Sequence, residues 1–203
     1  MNKKLVLAYS GGLDTSYCVK SLSEAGYEVH AVSVNTGGID AEEVLALESK
    51  ALTLGAISYT NIEAVETFYK DIVKYLIFGN VLKNNTYPLS VSAERVTQAV
   101  AIVDHAKKIG ATAIAHGSTG AGNDQVRFDL IFQTRAPRIE IITPIRDQKL
   151  SRKDEIAYLK VHGVDWPWEK AQYSINKGLW GPSVGGSETL KSRDPLPNSA
   201  YPR

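Results

Sequence analysis

A short apolar run that ends on two glycines is the feature that most narrows what this chain can fold into. Lys4 to Tyr9 reads as a strand, Gly11-Gly12 interrupts it, and from Thr15 to Ala25 apolar residues return at helical spacing until Gly26 stops them. A strand that turns through glycine into a helix leaves the unpaired N–H groups of the first helical turn, and the positive end of the helix dipole, at the strand's end. Ser10-Gly11-Gly12-Leu13-Asp14-Thr15-Ser16 is therefore an anion cradle, since glycine lets the backbone close on a phosphate. It holds no lysine and satisfies neither G-x-x-x-x-G-K-[ST] nor G-x-G-x-x-G, which excludes a Walker loop and a dinucleotide fingerprint. Residue types alone leave a plainer reading open, in which the glycines only turn and Asp14 or Thr15 only caps.

The same strand-then-helix unit recurs down the chain. Tyr27 to Val34 is β-branched and apolar, and a helix from about Asp40 puts Val44, Leu47, Ala51 and Leu54 on one face. Ile57 to Asn61 reads as a third strand and Glu63 to Phe78 as a third helix. Ser92 to Ile109 is a helix with Val96, Ala99, Val100, Val103 and Ala106 turned inward. Ala113 to Ala115 is a fourth strand, followed by a second glycine-rich loop, Gly117 to Gly122, and a helix from Asp124 to Ala136. Ile139 to Thr143 is a fifth strand, and Ser151 with Asp154 opens a last helix that runs to about Lys160. Strands apolar throughout and alternating with helices predict an α/β fold with a doubly wound, parallel, five-stranded sheet covered on both faces. In such sheets ligands bind at the carboxyl ends of the strands, so both glycine loops are expected to face one cleft.

From Trp166-Pro167-Trp168 onward glycines and prolines replace periodic apolar residues, which places a boundary near 165. Residues 1–165 then form the nucleotide-binding domain and 166–203 the start of a second, incomplete one. A formal charge of +1 over 203 residues offers no general field for nucleic acid or membrane. The one cysteine, Cys18, cannot form an internal disulfide, which favours a reducing, cytoplasmic setting, and its apolar helical pattern reads as core. The four histidines show no metal-ligand spacing; only His116, beside the second loop, is a weak site candidate, and no metal-ligand set is read from the chain.

Two segments carry a resemblance. Ala-Tyr-Ser-Gly-Gly-Leu-Asp-Thr-Ser, residues 8–16, is similar to the signature of the ATP pyrophosphatase superfamily, whose members cut ATP between its α and β phosphates. The second loop and the residues around it, Ala115-His116-Gly117-Ser118-Thr119-Gly120-Ala121-Gly122-Asn123-Asp124-Gln125-Val126-Arg127-Phe128, closely resemble the argininosuccinate synthase family. Tyr87-Pro88-Leu89 with Ser92 and Arg95, Pro144 to Arg152, and Tyr173 to Gly186 match it in order and spacing. The resemblance implies a ligase that joins citrulline to aspartate through a citrullyl adenylate, with ATP and Mg²⁺ required and AMP and pyrophosphate released.

By that resemblance Ala8, Tyr9, Ser10, Gly11, Gly12, Leu13, Asp14, Thr15 and Ser16 hold ATP, with Val34 and Gly117 also touching nucleotide. Thr119, Asn123 and Asp124 match aspartate-binding positions. Tyr87, Ser92, Asn123, Arg127, Ser174 and Ser183 match citrulline-binding positions, and Asp14, Asp124 and Arg127 are the candidate catalytic residues. Without the family, Asp124 and Arg127 read as a solvated helix-face pair. Ala121 stands where the family commonly has lysine, and Gly185 where an acidic residue often follows. The family chain is longer, and an oligomeric assembly is expected only with its later part. A tRNA-modifying use of the same loop is the competing enzyme reading, against which the near-zero charge and single cysteine speak. A nucleotide-binding fragment without turnover is the other.

Overall fold

The computed structural model describes residues 3–120, 122–168, 173–185, 193 and 195–201. Ala121, Gly186 and the side chain of Ser174, on which expectations fall, lie outside the described part. Five strands, β1 (Lys3–Ala8), β2 (Tyr27–Asn35), β3 (Ser58–Glu63), β4 (Ala113–His116) and β5 (Glu140–Ile142), form one parallel sheet ordered β3-β2-β1-β4-β5. From β1 the chain steps outward to β2 and β3, then crosses back to place β4 on the other side of β1. The switch point of this doubly wound sheet is thus the crevice between β1 and β4.

The helices are α1 (Leu13–Glu24), α2 (Ala41–Thr53), α3 (Val65–Phe68), α4 (Lys74–Phe78), α5 (Ser90–Lys108), α6 (Asp124–Arg135), α7 (Pro144–Asp147) and α8 (Arg152–Val161). Alternation along β1 sorts them into two layers. Leu5 and Leu7 pack with Leu13, Tyr17, Cys18 and Val19 of α1, Ala51 of α2, Ile145 of α7 and Leu159 of α8. Val6 and Ala8 face the other way, onto Ala99, Ile102, Val103 and Ala106 of α5 and Phe128 and Phe132 of α6. Trp168 is buried in the first layer with Trp166 against it, so the sheet's own core holds the start of the glycine- and proline-rich tail.

Four local expectations need correction. Val96 does not face inward and is 38% exposed, because the buried face of the first turns of α5 runs through Ala93, Glu94 and Thr97 instead. The third strand starts at Ser58 with Ile57 exposed outside it and runs on to Glu63, so the third helix begins at Val65. That helix is also not uniform, since α3 and α4 are joined by a π turn, Tyr69–Val73. Finally, the tail contains regular structure that its composition hides, an antiparallel pair β6 (Ser174–Asn176) and β7 (Ser183–Gly185).

Candidate functional site

The first glycine loop leaves β1 at the switch point. Gly11 adopts a left-handed φ of +72°, and a Cβ there would fall on the Leu47 side chain of α2. Gly12 is the N-cap of α1 and caps it with no side chain, so the first-turn amides stay free of a local side-chain acceptor. Thr15 stiffens the loop instead: its hydroxyl donates to the Gly12 carbonyl at 3.3 Å and lies 3.4 Å from the Ser10 amide. Of the nine residues from Ala8 to Ser16, Ser10, Gly11, Gly12 and Asp14 retain exposure. Ala8, Tyr9, Leu13, Thr15 and Ser16 are buried and brace the loop from behind. Val34 lies two residues past the last β1–β2 register pair, Ala8 with Val32, and its side chain is buried in the α5–α6 layer. Any contact it makes to a ligand is through its backbone.

The second loop leaves β4 beside the first. A Cβ on Gly117 would stand 3.2–3.3 Å from the Asp14 carbonyl carbon, Asp14 Cβ and the Thr15 nitrogen, so only glycine lets the two loops touch without displacement. Thr119 and Asn123 are exposed on its far side. Below it, Glu155 of α8 is 2% exposed and its Oε2 has no hydrogen-bond partner among the described residues. Burial, and then the facing Asp14 carboxylate, push the Glu155 carboxyl up to about 8, with Arg152 pulling the other way. Sequence reasoning missed Glu155. The available signal was an acidic residue one turn before Leu159 on the buried face of the last helix.

A second cluster lies where α5 and α6 begin. Asp124 is gripped by two arginines, Arg127 NH1 at 2.7 Å on Oδ1 and Arg95 Nε at 2.9 Å on Oδ2. Arg127 NH2 donates to Ser92 Oγ at 2.8 Å, and Arg95 NH2 to Asn176 Oδ1 at 2.6 Å. The helix-face pair is therefore part of a network that crosses three elements. Tyr87 joins it from the side: its hydroxyl accepts the Val91 and Ser92 amides at 3.1 and 3.4 Å, capping α5, whose N-cap Leu89 is left-handed and supplies no side-chain cap. Burial raises the Tyr87 phenol, and the hydrogen bonds around it from Ser92, Ser90 and Val91 outweigh that and leave it lowered. The sequence reading held Arg95 and Asn176 in segments that match the family and assigned neither a contact.

The β6–β7 pair carries Ser174 and, opposite Asn176 in the register, Ser183, and Asn176 is its contact with this cluster. It is tied down by the Arg95–Asn176 bond, by Trp180 Nε1 donating to the Pro88 carbonyl at 2.6 Å, and by the Leu179 amide donating to Thr36 at 2.8 Å. Gly37 and Gly38 permit this approach, since a Cβ on either would strike the Lys177–Leu179 backbone. Asn35 shapes the receiving loop, its side chain accepting the Gly37 and Ile39 amides and donating to the Ile39 carbonyl. A cleft of about 490 Å³ opens between that loop and the hairpin, lined by Gly37, Gly38, Ile39, Asp40, Glu43, Lys177, Gly178 and Pro182. Among the described residues no group of three or more His, Cys, Asp or Glu side chains is arranged around a metal position, and no helix is long and apolar enough to cross a membrane.

A five-stranded doubly wound sheet with two abutting glycine loops at its switch point defines an α/β domain of the HUP type. Residues 4–165 match the family model described as arginosuccinate synthase N-terminal HUP domain. The chain belongs to the argininosuccinate synthase family. It is 44% identical over 198 residues to the argininosuccinate synthase of Methanocaldococcus jannaschii, covering 97% of this chain and 49% of that one. It is 44% identical over 184 residues to that of Rubrobacter xylanophilus (90% and 44% covered), and 39% identical over 201 residues to that of Lactococcus lactis subsp. lactis (98% and 50%). The chain spans about half the length of the curated relatives it matches. Among solved structures, a predicted subunit of tRNA methyltransferase from Methanocaldococcus jannaschii superposes with a TM-score of 0.53 at 20% identity, over 77% of this chain and 75% of that one, a likeness of fold alone.

Proposed function

We propose that this chain holds ATP in the cleft between its two glycine loops and serves the ATP-dependent joining of citrulline to aspartate. The observation that carries this reading is the contact of Gly117 with Asp14 and Thr15. It makes one anion-binding surface out of two loops from adjacent strands, with the open first turn of α1 aimed into it. A ureido carbon is a poor electrophile, so its oxygen must first be activated: it attacks the α-phosphorus, pyrophosphate leaves, and the aspartate amine then displaces AMP. In that step the protein's task is positioning and charge neutralisation. The Ser92–Arg127–Asp124–Arg95 network is the proposed citrulline and aspartate side of the cleft, with Arg127 suited to a carboxylate by its planar fork. Tyr87, Thr119, Asn123, Ser174 and Ser183 line the same proposed region. Residues 1–165 are taken as the nucleotide domain and 166–203 as the beginning of the next.

Mg²⁺ fits the residues present at one place. Asp14 and Glu155 set two carboxyls together under the first loop, and Glu155 Oε2, without a partner among the described residues, is an oxygen open to an ion. Two carboxylates completed by phosphate oxygens and water are an ordinary Mg²⁺ donor set, and the ion would neutralise pyrophosphate charge there. Cys18, fully buried with its thiol pushed well up by burial, accords with a cytoplasmic setting.

Citrulline-dependent exchange of labelled pyrophosphate into ATP tests the reading, with product masses taken after aspartate is added. Because relatives are twice as long, it is run on this chain and on a relative of full family length carrying the same substitutions. Exchange that needs no citrulline, or that accepts another acceptor equally well, would overturn the assignment.

A further inference from the structure

His116 ends β4 at 1% exposure, and both of its ring nitrogens are engaged. Nδ1 lies 3.2 Å from the Ser118 amide, and Nε2 lies 2.9 Å from Asp129 Oδ1 on α6. A ring nitrogen that accepts a backbone N–H carries no proton, so the imidazole is the neutral Nε2–H tautomer, donating to Asp129. Phe128 stacks on the ring, centroids 5.5 Å apart and planes at 23°, which fixes its orientation. The contacts continue beyond Asp129. Its Oδ2 accepts Arg146 NH1 of α7 at 2.5 Å, and the same nitrogen donates to Gln125 Oε1 at 3.1 Å. Gln125 Nε2 then donates to the Gly120 carbonyl at 2.7 Å. One chain of polar contacts thus starts at the Ser118 amide and ends at the Gly120 carbonyl, gripping the second glycine loop at both.

The sheet does not need this arrangement to form. β4 is already paired on both edges, by β1 and β5, and its other inward side chains, Ala113, Ile114 and Ala115, are apolar. What the polar chain acts on is the loop that carries Gly117 against Asp14 and Thr15.

We propose that His116 is a positioning residue for the nucleotide: as the neutral Nε2–H tautomer, backed by Asp129, Arg146 and Gln125, it holds the second loop in the shape that meets ATP. The proposal rests on the reading that the two loops bind ATP. It gives loop shape a direct dependence on the ring's charge. A protonated Nδ1 is a donor facing the Ser118 donor, so protonation breaks the contact. The charged groups that face the ring are Asp129 of α6 and Arg146 and Asp147 of α7. Burial dominates and lowers the imidazole below its ordinary value; Asp129 opposes it, Arg146 adds to it, and Asp147 opposes it. The ring is therefore neutral at neutral pH and the contact is made.

Two substitutions divide the ring's functions. In His116→Asn the amide oxygen stands near the Nδ1 position and keeps an acceptor for Ser118, while contact to Asp129 is lost. In His116→Gln the amide nitrogen reaches toward Asp129, and the Ser118 amide is left unpaired. ATP binding is titrated calorimetrically in Mg²⁺ buffer between pH 5.5 and 8, with thermal unfolding of each protein recorded alongside. Gln is expected to weaken binding about three- to tenfold, the scale of one lost hydrogen bond, and Asn by less. Toward the acid end of the range wild-type affinity is expected to fall more steeply than that of Asn, the other groups of the site titrating alike in both. Equal losses in both variants, or a wild type and Asn with the same pH profile, overturn the proposal. If neither variant folds, ¹⁵N spectra of the wild-type imidazole decide, since an Nδ1–H tautomer, or a ring titration that bound ATP does not move downward, overturns it. A wild type that binds no ATP overturns the nucleotide reading and this proposal with it. Binding without the Asn–Gln ordering overturns only the role of His116.

Discussion

At the scale of single residues, the two glycines of the first loop separate by function. Gly11 is required by conformation, with φ at +72° and Leu47 against it. Gly12 has φ −74° and only the Ser10 hydroxyl within reach of a Cβ, at 3.6 Å. Gly11→Ala is expected to cost about 1–2 kcal/mol of stability from the left-handed backbone alone. Gly12→Ala should unfold near the wild-type temperature yet bind ATP more weakly, because the added methyl stands where backbone meets phosphate. Thermal unfolding and calorimetry on both variants check this, and wild-type ATP affinity in Gly12→Ala would reduce the loop to a turn. The grip on Asp124 likewise alters what its substitution reports. Asp124→Asn loosens Arg95 and Arg127 together, so in an active relative both citrulline and aspartate kinetics should suffer. Thr119→Ala, exposed and outside that network, should raise the KM for aspartate with citrulline-dependent exchange unchanged.

Glu94 is a residue-scale case with a pH signature. It is 1% exposed on α5, its Oε1 has no partner, and burial pushes the carboxyl from its ordinary 4.5 up to about 7, Arg95 opposing and Asp124 adding. A folded-state value above the unfolded one means that the contribution to stability is complete below pH 4.5 and is lost as pH rises through 7. The loss amounts to about 3 kcal/mol by pH 8. Glu94→Gln should flatten that decline, which denaturant unfolding at pH 5 and pH 8 measures; parallel curves for the two proteins would show that Glu94 is not its source.

At the scale of elements, the hairpin and the helix caps show how local chemistry sets position. A Cβ on Gly178 would fall on the buried Glu94 carboxyl, so glycine there lets the hairpin dock without displacing it. Gly178→Ala is expected to release β6 and β7 from α5 while leaving the sheet folded. Hydrogen exchange checks this, with lost protection confined to residues 174–185 as the expected outcome. Two helices start with reciprocal capping boxes, Ser151 with Asp154 on α8 and Asp40 with Glu43 on α2. Replacing Asp40 by alanine should cost about 1 kcal/mol, read from denaturant unfolding. The first of these boxes was legible in the sequence and the second was overlooked, although Asp40 was correctly placed at the helix start. α5 resisted such reading because its cap is the Tyr87 hydroxyl, three residues before the helix begins, working with a left-handed Leu89.

At the scale of the whole molecule, both glycine loops, the sheet that carries them and the Asp14–Glu155 pair lie within these 203 residues, whereas the relatives of known name are about twice as long. A polypeptide of these residues alone is expected to bind Mg-ATP and to form argininosuccinate poorly, if the longer relatives use their further length to aim the ureido oxygen. Misplacement of that kind costs about a hundredfold in rate. Turnover of citrulline and aspartate at about 1 s⁻¹ or faster would sink this expectation.

The sequence by itself determined the α/β class, the succession of the main strands and helices along the chain, and the two glycine loops, because those are written in local signals: period-two and period-3.6 burial, glycine backbone freedom, and caps. It also carried the family, since residues 8–16 and 115–128 are contiguous strings. What only the tertiary structure decided are the pairings between distant segments. Glu155 meets Asp14, Asn176 meets Arg95, His116 meets Asp129 and Arg146, and a hairpin appears in a tail whose glycines and prolines obscure any period. These contacts span between 13 and 141 positions of sequence. Periodicity records which face of an element is buried; it does not record which side chain of another element will be opposite, and a buried charged or polar group is defined by that partner.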